Sequence, residues 1–452
     1  MKLRNSVPKV AGGGPHRERT TEDTWRTIQP YLRRIGVTRV ADITGLDRIG
    51  IPVYNAIVPR SSDLISVYNG KGASHLDAKT SAVMEAVERF AAWQPRTPDV
   101  VGSVDDLSRD GIRMVRPDSV NIERFKHYRD HFPISWVMGT ELISGDDIAV
   151  PQYLAGYYQS FHETPPFPIC TTNGIASGNS VEEATCHALC ELIERDDWTM
   201  AEVISNRLSR AVTKGTVAPG IPETVEQWFM ERNKSIDQET LPAPHRRLIE
   251  RYRAAGLSVE LKSIMSRNGI PSFLCVVSED LGSTFSRSHQ GLGTHPDRDV
   301  AALRALSEAA QSRVVDIQAM REDISLPDED VPKYMLHIKR SAAFNPQAWA
   351  NYRTRRQTDF QSLPTYLSAD VMEDTRRMIG NLRATGIEEV AVVDLSPKWL
   401  PVSVVRVVVP GIESWAIDRG RLGFRAAAVW QENLGLLRDA LAEAANRQEA
   451  LR

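Results

Sequence analysis

Apolar residues recur at helical spacing in three segments whose other side is polar. In the first, ending near Pro95, Val83, Met84, Val87 and Phe90 are apolar, while Ser81, Glu85 and Glu88 fall at i, i+4 and i+7. In the second, about residues 181–205, Leu189, Leu192 and Ile193 are apolar and His187, Glu191 and Glu194 share the polar stripe. The third repeats this with Arg304, Glu308 and Gln311. Offsets of 106 and 223 residues superimpose the three helices without gaps. Ala78, Ala184 and Ala301 then coincide, as do Glu85, Glu191 and Glu308, and Glu88, Glu194 and Gln311. Such self-similarity suggests a duplicated supersecondary unit.

Around these helices the pattern predicts further elements. Residues 1–22 are polar and Gly-rich and read as an arm, and 23–35 as a helix through Trp25, Ile28, Tyr31 and Leu32. Strands are predicted at 52–58, 64–68, 149–154, 257–264, 272–277, 389–393 and 402–409. Residues 96–150 are otherwise mixed and turn-rich. Residues 216–256 read as a helical insertion, 327–364 as irregular, 370–384 as a helix, and the last stretch as a terminal helix. The predicted class is α/β or α+β with repeated β–loop–helix units. The expected layout is an arm and helix over 1–50, a catalytic domain over 51–425, and a C-terminal helix over 426–452.

Glycine-rich stretches precede all three helices: Gly70 to Gly72, Gly174 to Gly178, and Gly291 with Gly293. Read as loops at helix N-termini, they present backbone N–H groups to anions. Carboxylates nearby would hold Mg2+, which needs few protein ligands and bridges to phosphate oxygens. The combination reads as a nucleotide site with more than one metal. The competing reading makes Glu85–Arg89 and Glu191–Arg195 ordinary helix salt bridges. Lys71-Gly72 is not followed by Ser or Thr, and Gly12 to Gly14 are followed by Pro15, so an ATP site here is not a P-loop.

Composition narrows the class. The 452 residues carry a net charge of −3 and a pI near 6.4, which argues against nucleic acid as partner. No apolar run reaches the ~18 residues of a membrane span. The basic start lacks an apolar segment behind it, so no secretory signal is expected. Four cysteines (Cys170, Cys186, Cys190, Cys275) are too few for a disulfide framework, and a reducing cytoplasm is the expected location. Cys186, His187 and Cys190 lack a second ligand pair for zinc, and His127 and His131 lack a third ligand, so packing roles are expected for both groups.

The ordered motifs resemble the YcaO family. They are Ser81, Glu85, Glu88 and Arg89; then Asn179 and Glu183 ahead of Glu191, Glu194 and Arg195; then Arg304, Glu308 and Gln311. The Gly70 to Gly72 lead-in and the stretch from Val405 to Glu413 extend the resemblance over roughly residues 45–420. The resemblance implies ATP and Mg2+ as cofactors. It assigns nucleotide contacts to Arg17, Lys71, Ser81, Asn179, Glu183, Arg195, Arg304 and Glu308, and Mg2+ ligands to Glu85, Glu88, Glu191 and Glu194. It implies phosphorylation of a backbone amide oxygen, giving an azoline or amidine in a ribosomally made peptide.

Residues 36–53 are similar to the stand-alone and TfuA-associated branch, so TfuA-assisted thioamidation is the alternative. The proline-free end of the chain argues against azole formation with the usual partner. A third reading, of another class, is an ATP-binding accessory or regulatory protein. The implied partners are a precursor peptide or protein, a TfuA-like protein and a second copy of the chain. The catalytic base is not visible, and His75, His187 and His289 are candidates by residue type only.

Overall fold

The computed structural model describes residues 3–10, 16–59, 65–124, 126–157, 166–167, 171–208, 211, 224–280, 286–319, 348–418 and 421–450. Two of its three main sheets are copies of one arrangement. Strands β1 (Arg39–Asp42), β2 (Val53–Ile57) and β3 (Val67–Lys71) form an antiparallel sheet in that order, and the first motif helix, His75–Ala92, follows. Strands β9 (Ser258–Ser263), β10 (Ser272–Asp280) and β11 (Ser286–Thr294) form the second copy, followed by the third motif helix, Arg298–Ala319. The β1–β2 ladder joins the stretch before residue 51 to the stretch after it.

The middle repeat is embedded in a larger sheet. Its strands are β4 (Val100–Gly102), β5 (Ile134–Glu141), β6 (Asp147–Pro151), β7 (Ile175–Gly178), β13 (Ala391–Asp394) and β14 (Ser403–Val408). Their order is β4-β5-β13-β14-β7, with β6 paired to β5. The second motif helix, Val181–Glu202, leaves the edge strand β7. A short parallel ladder joins β8 (Ile236–Asp237) to β12 (Thr358–Asp359). Serines start the first two motif helices: Ser74 forms a capping box with Asp77, and Ser180 accepts from Glu183 N.

The glycines have a different role from the one expected. The connections into the motif helices are residues 72–74, 179–180 and 295–297, and most of the repeated glycines lie in the preceding strands. A Cβ on Gly70 would sit 2.0 Å from Ala82 N, and one on Gly293 2.5 Å from Ala305 N. A Cβ on Gly72 would likewise fall 2.6 Å from Ala78 N, and one on Gly178 2.5 Å from Ala184 N. The absent side chains let strand and helix backbones touch. Buried Ala78, Ala82, Ala184, Ala301 and Ala305 complete that contact. The Gly-rich loops expected to cradle an anion are therefore close-packing surfaces.

Other boundaries also moved. The strand expected at 64–68 is β3 at Val67–Lys71, and residue 64 lies outside the described residues. The strand expected at 149–154 ends at Pro151, where a short helix, Gln152–Ala155, takes over. The turn-rich reading of 96–150 missed β5, which is buried on both faces and shows no alternation. β11 was also missed, since its polar, Gly-containing sequence has little strand propensity and pairing with β10 sets its register. In the helical insertion, helices Val225–Met230 and Ala243–Ala254 flank β8; residues 216–223 lie outside the described residues, as do Gly12 to Gly14, Cys170 and 327–347. The helices at Val371–Ala384 and Phe424–Ala450 occur where predicted. Among the described residues no helix is long and apolar enough to cross a membrane.

Candidate active site

The three polar stripes converge because each motif helix also lies against the edge strand of the next unit. The first touches β7, the second β11 and the third β3, closing a ring. Hydrogen bonds stitch two of these seams. Ser177 Oγ on β7 donates to Met84 O at 3.0 Å, and Lys71 Nζ at the end of β3 donates to Glu308 Oε2 at 2.5 Å. In every unit the central glutamate accepts one main-chain N–H from its own strand region: Asn69 N to Glu85 (3.2 Å), Gly174 N to Glu191 (3.1 Å) and Leu292 N to Glu308 (3.3 Å). One such bond leaves most of a carboxylate's acceptor capacity open.

The acidic end is poorly compensated. Glu88 and Glu194 are only 13% and 12% exposed, yet Arg89 and Arg195 stand 3.8 Å from them, beyond hydrogen-bond length. Arg89 also lies 3.7 Å from Glu85. The Glu191–Arg195 pair expected from the spacing is not among the ion pairs of the described residues. Burial drives the carboxyl of Glu88 well above its ordinary range and that of Glu194 up to about 8. Arg89 and Arg195 oppose the shift, and neighbouring glutamates (Glu191 and Glu85 on Glu88, Glu308 and Glu191 on Glu194) reinforce it. Glu85 is raised by burial too, against Arg89 and Lys71. Glu308 differs: burial works upward, but Lys71 and Arg195 outweigh it and hold the carboxyl below its usual range.

A cationic end faces this cluster. Arg17 Nη1 is 3.1 Å from Glu183 Oε1, and the side chain of Asn179 donates to the same carboxylate at 3.1 Å. Thr24 Oγ1 donates in turn to Asn179 Oδ1 at 2.9 Å. Arg304 donates to Thr294 O at 3.0 Å. His187 occupies the stripe position equivalent to Ser81 and Arg304. Burial, then the charges of Arg17, Arg304 and Lys71, push its imidazole well below the ordinary value, and its Nδ1 is buried without a hydrogen-bond partner.

Of the three histidines proposed by residue type, His187 alone lies on the motif face. His75 is 61% exposed and pairs with Asp42 and Tyr54, ten residues or ~15 Å along its helix from Glu85. His289 faces Asp316 at 2.9 Å. Cys186 and Cys190 are buried, with Cys190 Sγ 3.7 Å from Met378 Sδ, and His131 packs on Phe132. The stretch ending at Glu413 is structural. Glu413 N donates to Asp196 Oδ1 at 2.9 Å, while its carboxylate accepts from Gly423 N and Ala426 N, both at 2.9 Å.

Among the described residues no three His, Cys, Asp or Glu side chains are gathered closely enough to hold a metal by themselves. Mg2+ does not require that, because one or two carboxylates, water and phosphate oxygens complete its shell. The motif glutamates fit it by chemistry. Glu85, Glu88, Glu191 and Glu194 are hard oxygen donors, partly or wholly removed from water, mutually repelling and without a cation at hydrogen-bond distance among the ion pairs of the described residues.

A family model described as YcaO cyclodehydratase, ATP- and Mg2+-binding, matches residues 69–413. An uncharacterized protein in the tfuA 3' region of Rhizobium leguminosarum bv. trifolii is 34% identical over 407 residues, covering 87% of this chain and 88% of its own. An uncharacterized protein of Methanothermobacter thermautotrophicus is 30% identical over 422 residues, covering 89% and 96%. The fold is similar to that of a YcaO protein from Methanopyrus kandleri bound with AMPPCP and Mg2+ (TM-score 0.65, 23% identity, 92% of this chain and 98% of that one). It is also similar to a heterocyclase in complex with substrate and cofactor (TM-score 0.71, 20% identity, 91% of this chain). The chain spans about half, 54%, of that heterocyclase.

Proposed function

The chain belongs to the YcaO family, and on that premise we propose that it uses ATP and Mg2+ to phosphorylate the oxygen of a peptide backbone amide, so that a nucleophile replaces that oxygen. One observation carries the reading: a poorly compensated acidic end, with its arginines 3.7–3.8 Å away, and a cationic end converge where three repeated helices meet. Such a face suits a polyanion together with its divalent ion.

An amide oxygen is a poor leaving group. The nucleophile adds to the amide carbon, the carbonyl electron pair moves to oxygen, and that oxygen takes the γ-phosphoryl group as ADP leaves. Departure of phosphate completes the exchange. A Cys, Ser or Thr side chain gives an azoline, an amine gives an amidine, and sulfide gives a thioamide.

Glu85, Glu88, Glu191 and Glu194 would hold Mg2+, which when bound neutralises phosphate charge and orients the γ-phosphoryl group. Arg17, Lys71 and Arg304 attract the phosphates. Ser81, Asn179, Glu183, Arg195 and Glu308 complete the proposed nucleotide set. Lys71 and Arg195 hold Glu308 ionised, which suits it to accept hydrogen bonds.

We favour azoline or amidine formation in a ribosomally made peptide. Backbone thioamidation with a TfuA-like partner is the second reading, supported by the Rhizobium relative's place in a tfuA 3' region. The test is ATP turnover by the purified protein with Mg2+ and candidate peptides. The expected products are ADP and phosphate, formed by the wild type and not by folded Glu191→Gln. AMP and pyrophosphate would contradict amide-oxygen phosphorylation. The peptide's mass separates loss of water from exchange of oxygen for sulfur.

A further inference from the structure

Beside the cationic end lies a buried polar cluster that the proposed chemistry does not use. It gathers three elements: the N-terminal segment, the connection from β11 into the third motif helix, and the helix Val371–Ala384. Lys9 Nζ is 2.6 Å from Asp374 Oδ2, with side chains only 6% and 2% exposed. His295 Nε2 is 3.6 Å from the same oxygen. Asp297 N donates to His295 Nδ1 at 2.9 Å, which makes Nδ1 the acceptor and leaves the neutral ring's proton on Nε2, toward Asp374. His16 Nε2 stands 3.2 Å from Asp297 Oδ2, and its ring centroid is 5.2 Å from that of His295.

His16 is the only non-glycine residue among the described residues with positive φ, at +56°. An imidazole held in that sparsely populated region needs its surroundings to hold it there. The flanking chain is pinned as well. Lys9 N donates to Ala369 O and Val10 N to Arg17 O, both at 2.8 Å, and Glu18 N donates to Glu183 Oε2 at 2.9 Å. Burial, then Lys9 and Arg304 against Asp297, lower the His16 imidazole, so at neutral pH it meets Asp297 as a neutral ring.

We propose that Asp297, His295 and Asp374 form a socket that seats His16 and Lys9, and that its function is to hold Arg17 against Glu183 at the cationic end of the site. His16, Asp297 and Asp374 are then positioning residues, acting through Arg17. The role in binding rests on the nucleotide reading above. The seating of the segment does not.

The experiment pairs two readouts on wild type, His16→Gln, Arg17→Gln and the double variant. His16 is 26% exposed, so its substitution is compatible with a folded chain. Calorimetric binding of AMPPCP with Mg2+ is expected to weaken about tenfold in each single variant, ~1.4 kcal/mol. The double variant is expected to bind no more weakly than Arg17→Gln, because both changes remove one contact. Multiplied losses, or an unchanged affinity in His16→Gln, would overturn the positioning role. Tryptic cleavage within residues 4–19 reads the socket without nucleotide. Faster cleavage in His16→Gln and Asp297→Asn supports it, and unchanged rates overturn it. Should wild type fail to bind AMPPCP while cleavage responds as expected, the nucleotide reading fails and the socket stands.

Discussion

Glu194 and Asp196 are two residues apart on one helix and are buried under opposite terms. Asp196 is fully buried, accepts from Arg425 Nη2 at 2.6 Å and from Glu413 N at 2.9 Å. Its neighbour Asp197 accepts from Asn268 Nδ2 at 2.7 Å, Ser272 Oγ at 2.5 Å and Ser266 N at 3.2 Å. Glu194 is nearly as buried, but the cation paired with it stands 3.8 Å away and two other glutamates push against it. A charge buried with its hydrogen bonds made is scaffold. A charge buried without them is destabilising until something positive arrives. The helix thus carries a hydrogen-bonded structural acid pair on one side and, on the other, the acid pair proposed above to hold Mg2+.

The largest expected effects separate the two pairs by what each substitution damages. Glu191→Gln should reduce ATP turnover by at least ~10³-fold, while the apo protein melts at or above the wild-type temperature. Asp196→Ala should do the reverse. It leaves the buried Arg425 without its carboxylate, with only Thr385 Oγ1 still accepting from it among the hydrogen bonds of the described residues, and should cost ~3–5 kcal/mol, read by urea unfolding. If both variants lose stability equally, the distinction collapses.

The glycines sharpen the scaffold side. Gly70→Ala and Gly293→Ala each drive a Cβ into helix backbone, at 2.0 Å and 2.5 Å, where no side chain can swing aside. Each should cost ~1–3 kcal/mol in unfolding experiments, whether or not nucleotide is present.

pH gives a smaller, signed effect. The Glu194 carboxyl is raised to about 8 and that of Asp197 to about 7, with burial the main cause of both. Between the ordinary carboxyl range and those values the native state keeps protons that the unfolded chain releases. Stability therefore falls as pH rises through that window. The apo protein should melt roughly 1–3 °C higher at pH 5.5 than at pH 8 by calorimetry. Glu194→Gln should shrink the difference, and AMPPCP with Mg2+ should reverse it by favouring the ionised face.

The smallest effect tests Glu308, the central glutamate of the third motif, which has Lys71 Nζ at 2.5 Å. Lys71→Met should cost ~0.5–1 kcal/mol of stability, since that pair keeps about a quarter of its surface in water. It should also weaken AMPPCP binding several-fold.

The polar stripes were legible in the sequence because helical spacing alone puts Glu85 beside Glu88 and Glu191 beside Glu194. Glu308 was visible for the same reason. The role of the glycines was not, since a strand–helix contact at Gly70 and a phosphate-cradling loop call for the same residue. β5 hid because burial on both faces erases the period of two. The pairing of Lys71 with Glu308, and of His16 with Asp297, spans 237 and 281 residues and leaves no local pattern to read. His187 could be suspected by type, but only the packing surrounds it with Arg17, Lys71 and Arg304.

The most direct test of the account is calorimetric titration of the purified chain with AMPPCP, with and without Mg2+, for wild type and Glu194→Gln. Binding that requires Mg2+ and is lost in the folded variant is the predicted result. Equal binding by both proteins, or binding indifferent to Mg2+, would contradict a metal–nucleotide site on the repeated glutamate face.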